Sequence, residues 1–480
     1  MRNDYEMVIG LEVHVELSTR TKIFCGCPVT FGEPPNTQCC PVCMGMPGAL
    51  PVLNRRAAEY AVMAGLATHC KIARRSELAR KQYFYPDLPK AYQISQFDTP
   101  LCEDGYLDIL TDGSTARIGI TRIHIEEDAG KLFHTAEHGT MLDCNRCGVP
   151  LIEIVSAPDI RSPAQAVAYA RSLRTVMRYL GISDCRMQQG SLRCDVNLSV
   201  RKRGETRLGT RTEIKNLNSF SFMQKAIESE FRRQTEILMS GGAVTQETRR
   251  FDETTGRTHA MRGKEDAMDY RYFPDPDLPP VLFTEAQIDT LRRALPVLPD
   301  ERIARLTAQY GIPRTDAERI CAERICADYF DRALSLTAYP KILAGLFLGE
   351  ILPTVGDPPS GELSAIEAAD LAAVADMAGE EVIHMGTAKK LIGMIKQTHA
   401  DPRTLVRQYD LAQIRDPDTL MRCIRRAMEE NPKSVADYRK GKKAAAQAVI
   451  GRVMAQTAGR ADPVLTRTMV LQQLDSGEET

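Results

Sequence analysis

Acidic and imidazole side chains recur at alternating positions in separate segments of this chain. In Ile9 to Leu17 the residues Ile9, Leu11, Val13, Val15 and Leu17 are apolar, and Glu12, His14 and Glu16 alternate with them. On a strand that alternation sends the three polar groups to one face and the apolar ones to the core. Arg122, His124 and Glu126 share a face in a second segment, which ends in Glu126-Glu127-Asp128. A third, Arg193 to Arg201, alternates Cys194, Val196, Leu198 and Val200 with Asp195, Asn197 and Ser199. Glu153 lies inside the apolar run Val149 to Val155, where a buried carboxylate must be paired or bound to metal. Taken singly, each segment is the ordinary pattern of a half-solvated strand. Taken together, they supply carboxylates and an imidazole suited to Mg²⁺, a hard cation that commonly bridges protein carboxylates to nucleotide phosphates.

A second chemistry is carried by thiols. Cys25-x-Cys27 is followed, after twelve residues, by Cys40-x-x-Cys43. Two close pairs joined by a short loop can wrap one tetrahedral Zn²⁺ in a closed, structural site. Cys39 adjoins Cys40 and competes with it, but the spacing to Cys43 favours Cys40. Cys144-x-x-Cys147 has no second pair nearby and reads as two buried thiols, as does the Cys321/Cys326 pair. The segment Lys81 to Gln93 interleaves cations, aromatics and prolines, which fits either stacking on bases with phosphate contacts or a packed surface loop.

The elements that must position these groups follow from texture. The first 280 or so residues read as strands and loops; from about Glu285 helical periodicity takes over, as in Thr284 to Ala294 and Glu362 to Ala378. Asp275-Pro-Asp-Leu-Pro-Pro280 interrupts any helix, so the main boundary is placed just after it. The expected fold is α+β: a strand-rich domain over 1–284, a helical domain over 285–400 and a helical tail over 401–480. The 480 residues carry a net charge of -1, yet Arg422 to Arg467 holds 11 Lys/Arg against 4 Asp/Glu, a basic stretch that fits a solvated helical face or a nucleic-acid footprint. No apolar run is long enough for a membrane span, and the N-terminus lacks the apolar core of a secretion signal, so a cytoplasmic location is expected. The chain contains no Walker phosphate loop, no class I synthetase signature and no amidase-type Ser-Ser-Lys arrangement.

The residues resemble the B subunit of the tRNA-dependent amidotransferases. The resemblance is carried by Gly10 to Leu17, Lys81 to Lys90, Ile123 to Lys131, Gly148 to Val155, Leu192 to Val200 and Asp269 to Leu278, and in the tail by Asn431-Pro432, Asp437-Tyr438, Gly441-Lys442 and Gly451 to Met454. It implies a cradle-shaped kinase domain unrelated to protein kinases, a helical domain and an RNA-binding tail. It also implies that ATP activates the Glu or Asp esterified to tRNA(Gln) or tRNA(Asn), and that ammonia from an amidase-like A subunit then forms the amide. A small C subunit would complete a heterotrimer. On this reading Glu12, His14, Glu126, Glu127 and Glu153 hold Mg²⁺, with Asp195 beside them. Lys81, Tyr83 and Lys90 serve the nucleotide pocket or the ammonia route, and Lys433, Arg439, Lys440, Lys442 and Lys443 meet tRNA. Cys144 and Cys147 stand where the family usually carries Tyr and Ala, and members without the four-cysteine set exist, so zinc would support the fold locally. A non-catalytic tRNA-binding scaffold is the alternative.

Overall fold

The computed structural model describes residues 4–111, 113–135, 137–263, 269–356, 363 and 366–476. The chain divides into two compact units, Met1–Leu298 and Pro299–Thr480.

The first unit is organised by a nine-stranded sheet. Its strands are β1 (Tyr5–Glu16), β2 (Lys71–Ile72), β3 (Cys102–Thr111), β4 (Ser114–Glu127), β5 (Pro150–Ser156), β6 (Leu192–Lys202), β7 (Thr212–Lys215), β8 (Glu247–Asp252) and β9 (Arg257–Gly263), in the spatial order β9-β8-β7-β6-β1-β5-β4-β3-β2. Neighbours are antiparallel except β7 and β8. A parallel pair needs a crossover, and the helix Phe220–Met239 lies within it.

Period-two alternation sets the two faces. Ile9, Leu11, Val13 and Val15 of β1, Ile123 and Ile125 of β4, Ile152 and Ile154 of β5, and Val196 and Leu198 of β6 are buried in one core. Three helices pack into it: α1 (Arg55–Ala67), α2 (Pro163–Leu180) and α3 (Phe220–Met239). These helices lie where strands and loops were expected. Their ends nonetheless carry ordinary signals: Ser162 accepts from the Gln165 amide ahead of Pro163, Gly181 closes α2 in the left-handed conformation, and Ser219 caps α3. Glu230 of α3 is fully buried, and it accepts from Thr212 of β7 at 2.9 Å and Thr258 of β9 at 2.8 Å while pairing with Arg233 and Arg249.

The division between units falls later than the expected break after residue 284. The helix α4 (Glu285–Arg293), with the chain that follows, packs Ile288, Leu291, Leu295 and Leu298 against the sheet's core. The proline-rich junction is tied in as well, since Asp275 binds Arg80 at 2.7 Å. The second unit is helical, as expected from residue 285 onward. The helix expected over Glu362 to Ala378 spans Ala368–Gly379, and Glu362 lies outside the described residues. The expected break at residue 400 does not separate compact units. Helices Pro417–Glu430, Pro432–Arg439, Ala446–Gln456 and Pro463–Asp475 share a small core around Leu420, Ile424, Tyr438, Val449 and Val470.

Tyr169 of α2 is fully buried, and its hydroxyl has no hydrogen-bond partner among the described residues. Because an unsatisfied buried hydroxyl is costly, Tyr169→Phe should stabilise the first unit by about 1 kcal/mol, whereas Tyr169→Ala should cost about 3–5 kcal/mol. Denaturant unfolding of the two variants measures both, and a Phe variant less stable than wild type would contradict the assignment.

Candidate functional site

The face of the sheet opposite the core gathers the acids. Register places His14 of β1 opposite Glu153 of β5, and Glu153 opposite His124 of β4, so the three form a row across adjacent strands. Glu126, two residues along β4 from His124, closes the group. His14 Nε2 lies 3.4 Å from Glu126 and 3.5 Å from Glu153, and His124 Nε2 lies 3.3 Å from Glu153. One donor atom from each of His14, Glu126 and Glu153 falls within 4.8 Å of the others. A second group sits on the neighbouring strands, where Glu12 of β1, Asp195 of β6 and Glu213 of β7 bring their carboxylates within the same limit. Asn197 donates to Glu12 at 2.9 Å, and Lys215 reaches Glu213 at 3.2 Å and Asp195 at 3.4 Å.

Electrostatics couples the two groups. Burial, then the charge of Glu153, raises Glu12. Burial and Glu153 likewise raise Glu126, which is only 3% exposed. For Glu153 burial is outweighed by hydrogen bonds and charge from His124 and His14, which hold its carboxyl well below the usual range. Burial alone would lower His14, but Glu153 and Glu126 outweigh it and push the imidazole up to about 9. The all-oxygen group of Glu12, Asp195 and Glu213 fits Mg²⁺ directly, and the His14 group offers two more carboxylates beside it. Lys81 stands near: burial opposes its charge, but Glu126, Tyr272 and Glu153 raise it. Its ammonium lies 5.0 Å from the Tyr270 ring, against which Tyr83 packs edge-on at 6.3 Å, while Tyr272 stacks on Phe97 at 4.3 Å.

Glu127 joins neither group. As the residue after Glu126 it faces the other way, where it pairs with Lys90 and accepts from the Ile94 amide at 2.9 Å. Both line a cavity of about 110 Å³ with Lys22, Phe24 and Cys43. Asp128, next along, is buried against Arg193 at 2.7 Å and Arg146 at 3.6 Å. Glu16, on the acid face of β1, is pushed up to about 8 by burial and then by Asp128.

The four cysteines converge as their spacing indicates, with the sulfurs of Cys25, Cys27, Cys40 and Cys43 within 4.8 Å of one another. Such a closed set of sulfur donors fits Zn²⁺. Cys39 is outside the group and donates to the Asn36 carbonyl at 3.2 Å. Cys144 and Cys147 are buried against the same cluster. In the tail, Lys433, Arg439, Lys440, Lys442 and Lys443 are exposed; Lys442 pairs with Asp437 and Lys443 with Asp475.

Sequence reasoning missed Glu213, Lys215 and Lys22, and it noted His124 without placing it in the site. Thr212-Glu-Ile-Lys215 alternates, but four residues make a weak strand signal.

A family model described as the GatB/GatE catalytic domain matches residues 7–289, and one described as the GatB domain matches 328–474. The chain is similar to the aspartyl/glutamyl-tRNA(Asn/Gln) amidotransferase B subunit of Caldicellulosiruptor saccharolyticus, 49% identical over 477 residues and covering 98% of this chain and 99% of the relative. The proteins of the same name from Caldanaerobacter subterraneus and Chlorobium chlorochromatii are 49% and 48% identical, each covering 98% of this chain, and 99% and 100% of the relatives themselves.

The raised His14 makes a pH test available. Its extra proton affinity stabilises the fold fully below about pH 6.5 and ceases to do so as pH rises through about 9. A cation using His14 Nε2 must displace that proton, so Mn²⁺ affinity, followed by titration calorimetry, should rise about tenfold per unit between pH 7 and 9. The dependence should vanish in His14→Gln; equal affinities at pH 7 and 9 in wild type would count against His14 as a ligand.

Proposed function

Because this chain belongs to the B-subunit family of the aspartyl/glutamyl-tRNA(Asn/Gln) amidotransferases, we propose that the acid-lined face of its sheet is where ATP activates the side-chain carboxylate of a misacylated tRNA. The chain is one component of a tRNA-dependent amidotransferase, an ATP-dependent ligase that forms a carbon–nitrogen bond with glutamine as amide donor. A free carboxylate is a poor acyl donor. One of its oxygens attacks the γ-phosphorus of ATP, ADP departs, and an acyl phosphate results; ammonia then attacks the carbonyl carbon and phosphate leaves with the bonding pair.

The observation that carries this reading is the presence of two three-ligand groups side by side on one sheet face. Mg²⁺, when bound, neutralises charge developing on the transferred phosphoryl group. Glu12, Asp195 and Glu213 would hold one ion, and His14, Glu126 and Glu153 a second, with His124 steadying Glu153. Lys81 brings positive charge to the same face, suited to phosphate, and Tyr83 and Tyr270 flank it. Glu127 and Lys90 belong to the other side of β4, and we assign Lys90 to the ammonia route. Ammonia would come from an amidase-like A subunit, in a heterotrimer with a small C subunit. The basic side chains Lys433, Arg439 and Lys440 are free of carboxylate pairing among the described residues and suit the phosphates of tRNA, with Lys442 and Lys443 beside them. Zinc at the four cysteines would be structural.

A non-catalytic scaffold would leave these acids as a solvated face. Glu126 at 3% exposed, shared between two imidazoles, is not solvated.

Single-turnover amidation of Glu-tRNA(Gln) by the assembled enzyme with ATP, Mg²⁺ and ammonium tests the reading. Glu153→Gln and Glu213→Gln should each slow amide formation by about 100-fold or more with tRNA binding kept. Amidation within a few-fold of wild type in both variants would refute the site, and Asp-tRNA(Asn) run in parallel identifies the preferred acid.

A further inference from the structure

Lys22 is a lysine with no exposed surface, among the largest fully buried side chains of the described residues. Its ammonium has two partners among them: Cys43 Sγ at 3.4 Å and the Cys144 carbonyl oxygen at 3.0 Å. A buried ammonium is tolerated only beside compensating negative charge. A carbonyl does not supply it, and neither does a neutral thiol. Glu127 faces the same cavity, but its Oε1 is engaged by Lys90 and the Ile94 amide, and it makes no ion pair with Lys22 among the described residues.

The source of negative charge that the ammonium touches directly is the cysteine group. Four thiolates around one divalent cation form a dianion. Cys43 is the member that Lys22 touches, and it also accepts from the Cys40 amide at 3.1 Å. We infer that Lys22 is the internal counter-cation of a zinc–tetrathiolate centre formed by Cys25, Cys27, Cys40 and Cys43, donating a hydrogen bond to the Cys43 sulfur. This rests on the reading of that group as a zinc site and explains a feature that reading leaves open, namely why a lysine is buried there.

The same ammonium links the centre to the turn Cys144–Cys147 through the Cys144 carbonyl. That turn is already fastened to the cysteine loop: Asn36 accepts from the Cys144 amide at 2.7 Å and donates to the Leu142 carbonyl at 2.9 Å, and Asn145 accepts from the Gln38 amide at 2.8 Å. Metal, lysine and turn are therefore one electrostatic unit. With the metal removed the dianionic centre is lost, Lys22 keeps at most the Cys43 sulfur as counter-charge, and its burial becomes a burden.

Three forms of the full chain test this: wild type, Lys22→Met and Lys22→Gln. Zinc affinity is read by competition with a chromophoric chelator, and thermal unfolding is followed once with zinc and once with chelator. Lys22→Met should bind zinc about 10–100-fold more weakly, the range found when groups supporting metal ligands are lost. It should melt below wild type with zinc and at or above wild type with chelator. This reversal sets a counter-charge apart from ordinary packing, which would lower both melting temperatures alike and overturn the inference. Wild-type zinc affinity in both variants would also overturn it while leaving the zinc site standing. A wild-type chain that binds no zinc would remove the zinc reading and the role of Lys22 together. Should Lys22→Met fail to fold, Lys22→Gln, which keeps a donor toward Cys144 and removes only the charge, decides by the same two measurements.

Discussion

Carboxylates gathered on one face of a sheet repel one another, and the strand-rich unit is arranged to hold them together. Most acids on that face have a positive neighbour at hand, and Glu12 accepts from the Asn197 side-chain amide. Lys215 sits between Asp195 and Glu213, His14 and His124 flank Glu153, and Arg193 and Arg146 bracket Asp128. Without a divalent cation, protons do part of this work, which is why His14 and Glu16 retain theirs to unusually high pH. The opposing face meets the cost by burying Val13, Val15, Ile123, Ile125, Ile152 and Ile154 under three helices. A one-residue slip of β1 would exchange the two faces, so the hydrophobic core is what keeps the acids together.

The same alternation separates neighbours in sequence. Glu126 and Glu127 are identical in type, yet one meets two imidazoles and the other an ammonium on the far side of β4. The pair looked like a single acidic run because composition carries no face. Once the strand is formed, each side chain enters a different environment, Glu126 among the metal-ligand candidates and Glu127 in the cavity it shares with Lys90.

Much of the site was legible in the sequence because it lies on long strands with clear alternation. Glu12, His14, Glu126, Glu153 and Asp195 fall within β1, β4, β5 and β6, and the four cysteines announce themselves by spacing. What escaped was set by tertiary contacts. Glu213 joins its group only because β7 pairs with β6, a register that no local pattern encodes. Lys22 looks like an ordinary surface lysine until the cysteine loop closes over it. The helices α1 to α3 were hidden by the strand-like texture around them; α4 was legible as a helix, but the prolines before it put the expected boundary ahead of it, although its apolar residues pack onto the sheet. Fold class is carried by periodicity; domain limits depend on which core a helix finally joins.

The place of β1 in the sheet has a consequence in time. It is the middle strand of nine, and its partners β5 and β6 lie far downstream in the chain. At translation rates of about 5–20 residues per second, the roughly 140 to 180 residues that separate β1 from these partners take on the order of 10–40 s to emerge. For that interval a segment with alternating Ile, Leu and Val has both edges unpaired, a template for wrong pairing. The strand that carries Glu12 and His14 is therefore open to mispairing during synthesis, and the acids on its other face, charged and water-seeking, help to keep it from sticking while it waits.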